Sequence, residues 1–253
     1  MTEKRKIFIT VKTYPTLLKK YDELVCTAGI LDDGSWARIY PLPFRKLDYE
    51  NRYRKYQWIE LPLQKIQAIP DRETYKVVDI SQIKLIGKPI NTKGNWQERK
   101  RIIFKHNQVY TDLSDLIELA NRNELSLAIF KPKKIIEFVA KETEHEWRKD
   151  KLELLKKKAK QLSLFQTEEE MKREFLVVKK LPYKFFYRFS DAKGKEAILM
   201  IEDWKIGALY SNRLKQTEGN ESIALVKVKE KFYSIFHKKD IYSLAQQNNF
   251  MEG

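Results

Sequence analysis

Apolar and polar residues alternate with a period of two through residues 6–14. Ile7, Ile9 and Val11 share one face and Phe8, Thr10 and Lys12 the other, the spacing of a β-strand that Pro15 ends. A second apolar run, residues 24–31, is followed by Asp32-Asp33-Gly34-Ser35 and then by residues 36–42, which is how a hairpin is written. Residues 56–63 predict the next strand, and Pro41, Pro43 and Pro62 mark strand ends or edges. Shorter strands are predicted at 75–78 and 83–86. Short strands, turn signals and little helix predict a small, partly closed antiparallel β-barrel within residues 1–94.

The period changes after Asn95, which is placed to cap a helix running to Lys105. Thr111 or Ser114 is placed to cap another, in which Leu113, Leu116, Ile117 and Ala120 share a face. Residues 125–130 and 135–139 read as strands separated by Lys131-Pro132. A lysine-crowded helix over 144–160 has Trp147, Leu152, Leu154 and Leu155 as its apolar anchors. Residues 95–160 thus form a mixed region, 161–175 a peptide and polar linker, and 176–253 a carboxyl-terminal α+β part. In that last part strands at 176–178, 183–189 and 197–201 precede two helices, the first capped by Asp203, and a short strand near 241–244. The fold class is α+β.

Charge changes the picture most: 50 Lys and Arg against 35 Asp and Glu leave +15. A polyanion is the natural partner, and nucleic acid the usual one. The excess concentrates at 84–105 and 148–160, and no basic amphipathic helix has the bulky apolar face that lipid requires. No apolar stretch is long enough to cross a bilayer, so no membrane partner is expected. The amino-terminal residues lack the apolar core of a signal peptide, and Cys26 is the sole cysteine; both fit a cytoplasmic protein without disulfides or a cysteine-held metal.

The residues suited to nucleic acid are Trp36, Arg38, Tyr40, Arg45, Arg52, Arg54 and Lys55 in the barrel region, with Arg99, Lys100 and Arg101 beyond it. Small barrels that bind single strands stack bases on aromatic rings while cations follow the phosphates. Trp36, Arg38 and Tyr40 share one strand face. Turned outward they form a compact stacking and phosphate-binding surface, the expected arrangement because an unpaired buried arginine is costly; turned inward, Trp36 is core and Arg38 needs a buried acidic partner.

Residues Gln161-Leu-Ser-Leu-Phe165 resemble the motif by which bacterial proteins dock on the sliding clamp. In that reading Leu164 and Phe165 fill an apolar pocket, Leu162 lines its approach and the Gln161 amide fixes the register. The competing reading makes the same leucines and phenylalanine core residues at a helix end.

Catalytic signatures are weak. There is no phosphate-binding loop, dinucleotide-binding glycine pattern or paired histidines, and no cofactor is expected. Asp191, Asp203 and Lys205 resemble the acid, acid-x-lysine pattern of metal-dependent nucleases, in which the carboxylates would hold Mg²⁺. Turn and cap aspartates are the plainer explanation.

Val11-Lys-Thr-Tyr-Pro15, Val25-Cys-Thr-Ala-Gly29, Arg38-Ile-Tyr-Pro-Leu-Pro-Phe-Arg45 and Tyr56-Gln-Trp-Ile59 resemble a family of small prokaryotic proteins with no assigned activity. The similarity covers most of the chain except residues 245–253 and implies no mechanism. The expectation is a DNA-associated accessory protein of replication, repair or genome defence, recruited to the sliding clamp. The alternatives are a metal-dependent nuclease and an RNA-binding module.

Overall fold

The first strand, β1 (Thr2–Lys12), pairs on both edges: its first half runs antiparallel to β4 (Trp58–Lys65), and its second half antiparallel to β2 (Thr27–Leu31). A tight turn at Asp33-Gly34, with Gly34 at φ +89°, leads β2 into β3 (Trp36–Ile39). Next, β5 (Thr74–Val77) pairs with β3 on one side and with the end of β4 on the other, closing a five-stranded ring. β6 (Lys84–Ile86) covers the start of the same β4 edge. The structure is a computed structural model that describes residues 2–17, 24–44, 47–66, 73–93, 96–162, 178–238 and 242–246.

The barrel of the sequence reading is therefore present and fully closed. One seam, β3 with β5, is parallel. Five strands cannot alternate direction all the way round a ring, so one seam has to be. Ile7, Ile9, Leu31, Ala37, Ile39, Tyr53, Ile59, Leu61 and Leu63 fill the interior.

Beyond the barrel come α1 (Gln97–Phe104), β7 (Val109–Tyr110), α2 (Leu113–Asn121), β8 (Leu127–Phe130), β9 (Lys134–Glu142) and α3 (Lys149–Leu162). Then follow β10 (Tyr183–Ser190), β11 (Glu196–Met200), α4 (Trp204–Gln216), α5 (Glu221–Lys238) and β12 (Ser243–Gln246). β9, β10 and β11 form one sheet, on which α4 and α5 bury Phe138, Phe185, Ile206, Tyr210, Ala224 and Val228. β7, β8 and β12 form another.

Several local expectations shift. Asp112 caps α2 by accepting from the Ser114 N–H at 2.8 Å, so the cap is neither Thr111 nor Ser114. An aspartate serves better there, because its charge also meets the positive end of the helix. Trp96 occupies the cap position of α1, while Asn95 lies outside the described residues. Asp203 caps α4 as expected, accepting from the Lys205 N–H at 2.8 Å. Val178 is not in a strand, and residues 176 and 177 lie outside the described residues.

The expected outward face of Trp36, Arg38 and Tyr40 is corrected. Trp36 is buried with Ala28, Ile30, Leu127 and Ile129, where β8 covers the outside of the barrel. All five residues of β2 are buried in consequence. Arg38 is half-buried and donates from Nη2 to the Ser126 carbonyl at 3.3 Å, and Tyr40 is half-buried as well. A strand covered on both faces has no wet side on which to offer a ring to a base.

At the junction of the two halves, Tyr14 donates its N–H to the Glu202 carbonyl at 2.9 Å, and Thr13 bridges to Asp203. The Tyr14 ring lies against Gly207 of α4 so closely that a Cβ there would sit 2.2 Å from its Cδ2. Gly207→Ala should therefore lower stability by about 1–3 kcal/mol through overpacking, read by urea denaturation. An unchanged midpoint would show that this junction does not bear on the fold.

Candidate nucleic-acid interface

The site grows from a defect in β1. The register slips between Ile9 and Val11, so two residues of β1 face one of β2 and the alternation reverses beyond the bulge. Before it, Ile7 and Ile9 point into the barrel; after it, Val11 joins the outer cluster with Ala28 and Trp36. Lys12 is thereby turned to the mouth of the barrel, where it is buried. Its Nζ lies 3.8 Å from the centre of the Phe44 ring, 4.3 Å from that of Trp204 and 5.8 Å from that of Tyr53. These rings pack on one another, Phe44 edge-on to Tyr53 at 4.9 Å and to Trp204 at 5.5 Å. Tyr53 is anchored in turn by a 2.5 Å hydrogen bond between its hydroxyl and that of Thr27.

The loop before β4 adds Arg52, Arg54 and Lys55. Arg52 and Arg54 are exposed, and Arg52 donates from Nε to the Leu47 carbonyl at 3.0 Å. The Lys55 ammonium is ion-paired with the Asp203 carboxylate. From the carboxyl-terminal half, α4 contributes Asp203, Trp204 and Lys205. From α1 comes Arg99, whose guanidinium donates to the Ile90 carbonyl and lies 3.8 Å over the Tyr56 ring.

The protonation equilibria show how crowded this charge is. Burial pushes Lys12 down to about 8; Asp203 acts to raise it, while Lys55, Arg52 and Arg54 add to the depression. Burial also lowers Lys205, helped by Lys55 and Arg99 against the pull of Asp203. For Lys55, burial acts downward, but Asp203 and then Tyr56 outweigh it and leave the ammonium raised. Three lysines, Lys12, Lys55 and Lys205, thus surround the Asp203 carboxylate, and Arg52, Arg54 and Arg99 lie close enough to act on them.

Of the candidates read from sequence, the structure brings together Arg52, Arg54, Lys55, Arg99, Asp203 and Lys205. Lys100 and Arg101 are exposed on α1. Trp36, Arg38 and Tyr40 are turned to other uses, and Arg45 lies outside the described residues. Asp191 is not part of the site. It is fully buried in the turn after β10, accepting from the N–H groups of Leu113 at 3.1 Å and Lys195 at 2.8 Å. About 16 Å of strand, the five residues of β11, separates that turn from the Asp203 end. Among the described residues no group of three or more His, Cys, Asp or Glu is arranged to hold a metal ion. Of the docking peptide, Gln161 and Leu162 close α3, and Ser163, Leu164 and Phe165 lie outside the described residues.

The sequence reading missed Lys12, Phe44, Tyr53, Tyr56, Trp96 and Trp204. A lysine inside a strand pattern followed by Thr13-Tyr14 was the available signal for Lys12, but the bulge that aims it leaves no mark in the apolar alternation.

The chain belongs to the family described as Domain of unknown function (DUF8757), which matches residues 106–243, more than half of the chain. Residues 3–105 match the family described as Domain of unknown function (DUF8758). No curated protein and no solved structure matches the chain.

The depressed Lys12 ammonium gives a pH signature. Folded, it releases its proton near 8; unfolded, near 10.5. Between these values the unfolded chain holds more protons, so raising the pH favours the folded state, whereas below 8 the full cost of burying the charge applies. Relative to Lys12→Met, the wild type should gain about 2–3 kcal/mol between about pH 7 and about pH 10, measured by urea denaturation. Parallel pH profiles would show that Lys12 titrates as in the unfolded chain.

Proposed function

We propose that this member of the DUF8757 family binds nucleic acid, DNA in the first place, through the cations at the barrel mouth, and that Gln161 to Phe165 recruit it to the bacterial sliding clamp. The observation that supports the first part is the cluster of Lys12, Lys55 and Lys205 about one carboxylate, with Arg52, Arg54 and Arg99 beside these lysines. Like charges held this close repel, and phosphate groups are the ligand that relieves the repulsion. The exposed Lys100 and Arg101 on α1 extend the positive surface. Binding is favoured over metal-dependent cleavage because the Asp191 carboxylate is committed to backbone N–H groups and that of Asp203 to Lys55 and a helix cap.

The second part rests on the five-residue match, which begins in the last turn of a lysine-rich helix and runs into the polar Gln166-Thr-Glu-Glu-Glu170. A peptide between a helix end and a polar stretch is suited to lie in a partner's groove.

Affinity for a DNA oligonucleotide, followed by fluorescence anisotropy, should fall steeply with salt. With four to six phosphates neutralised, the logarithmic slope is about −3 to −5 across single-stranded and duplex DNA, and Arg54→Ala with Lys205→Ala should flatten it. A salt-independent affinity would remove the phosphate reading; an RNA oligonucleotide of the same length in the same titration tests the preference for DNA.

Replacing Leu164 and Phe165 together by Ala should abolish binding to purified clamp, since anchor truncations cost on the order of 2 kcal/mol or more each. The melting temperature should barely move, whereas core positions would lose roughly 2–5 kcal/mol apiece. A parent that never binds the clamp and a double variant that unfolds would identify the pentapeptide as core.

A further inference from the structure

Among the described residues, four other than glycine have a left-handed backbone. Asn123 and Glu218 follow the ends of α2 and α4, where this conformation is routine. Tyr56 and Trp96, at φ +65° and +67°, have no such excuse: they are bulky aromatic residues on separate segments of the chain. Their side chains meet, with ring centres 5.3 Å apart and the planes at 76°. The Arg99 guanidinium lies 3.8 Å over Tyr56 and 4.6 Å over Trp96. The strained conformation is held from both sides, because Tyr56 donates its N–H to the Ile9 carbonyl at 2.6 Å and accepts from the Ile90 N–H at 2.7 Å. Arg99 fixes the other flank through the Ile90 carbonyl.

Strain of this kind persists where the surroundings impose it, and it gathers at binding sites. What it fixes here is a tryptophan, Trp96, that remains 36% exposed, next to the cations of the barrel mouth. Lys55 Nζ lies 5.6 Å and Lys205 Nζ 5.9 Å from the centre of the Tyr56 ring. A rigid exposed ring beside phosphate-binding cations is the pairing used to bind single strands: cations take the backbone and the ring takes a base. In a duplex the faces of the bases are already stacked on one another and offer nothing to the indole.

We infer that Trp96, backed by Tyr56 and Arg99, is a stacking platform for an unpaired nucleobase, and that the site takes single-stranded rather than duplex nucleic acid. The inference rests on the phosphate reading of the neighbouring cations, and the experiment keeps the two apart. Three probes of equal length are titrated by fluorescence anisotropy: a single-stranded oligodeoxynucleotide, the same backbone with abasic sites throughout, and the duplex. The wild type should bind the base-bearing single strand about tenfold more tightly than the abasic one, as one stacked base provides, and more tightly than the duplex.

Trp96→Phe should keep most of that preference and Trp96→Leu should lose it, with the salt slope the same in all three proteins. The Phe and Leu variants both keep an apolar side chain, so comparing them removes any shared effect on folding. Equal wild-type affinity for the base-bearing and abasic strands would overturn the stacking platform while leaving the phosphate reading intact. So would a preference that survives in Trp96→Leu. Failure to bind all three probes would overturn both.

Discussion

Asp203 ties the two halves of the chain together. One oxygen of its carboxylate caps α4, the other receives the Lys55 ammonium, and its backbone bridges to Thr13 at the end of β1. The last two of these contacts cross the seam between barrel and carboxyl-terminal half. A pair this well enclosed adds little net stability over an apolar contact of the same shape, because both ions were better solvated in water. Its value lies in geometry: a carboxylate with two committed oxygens permits a single seating of α4 on the barrel mouth. Trp204, next in sequence, is thereby delivered against Phe44 and Lys12.

The barrel imposes the second constraint. Closure by five strands forces one parallel seam, and a parallel partner must arrive by a crossover, which the chain provides by passing through β4 before placing β5 beside β3. With its interior filled, the barrel turns the outer faces of β2 and β3 toward β8 and packs a second apolar layer there. Gly29 marks how closely β1 and β2 approach beside the bulge: a Cβ at this position would sit 2.1 Å from the Phe8 carbonyl oxygen. The outer face of β2 and β3 therefore has no exposed aromatic ring among the described residues, because β8 covers Trp36 there.

This explains what the sequence disclosed and what it did not. Strands appeared where alternation is local, as in residues 6–14 and 183–189, and Asp203 was recognisable as a cap because capping is also a local pattern. Trp36 was misplaced because alternation tells the two faces of a strand apart without saying whether a distant segment covers the second. Lys12 was overlooked because a one-residue bulge inverts the faces beyond it. Tyr56 and Trp96 were overlooked because positive φ at an aromatic residue is dictated by surrounding contacts and not by its own preference. Half of the cations, Arg52, Arg54 and Lys55, were visible as one short basic run; their meeting with Arg99 and Lys205 is purely tertiary.

The state of Lys12 follows from competition among these contacts. Burial and neighbouring cations push its proton off, while Asp203 and the faces of Phe44 and Trp204 hold it on. With the balance near pH 8, the ammonium is charged in neutral solution by a narrow margin. An anion brought to the mouth adds to the holding side, so anion binding and proton binding at Lys12 favour each other, and by linkage each must raise the affinity for the other by the same factor. A fold selected for stability alone would place an apolar residue at this point of β1. The buried lysine, the left-handed backbone at Tyr56 and Trp96 and the cations near Asp203 all carry a cost to the free protein.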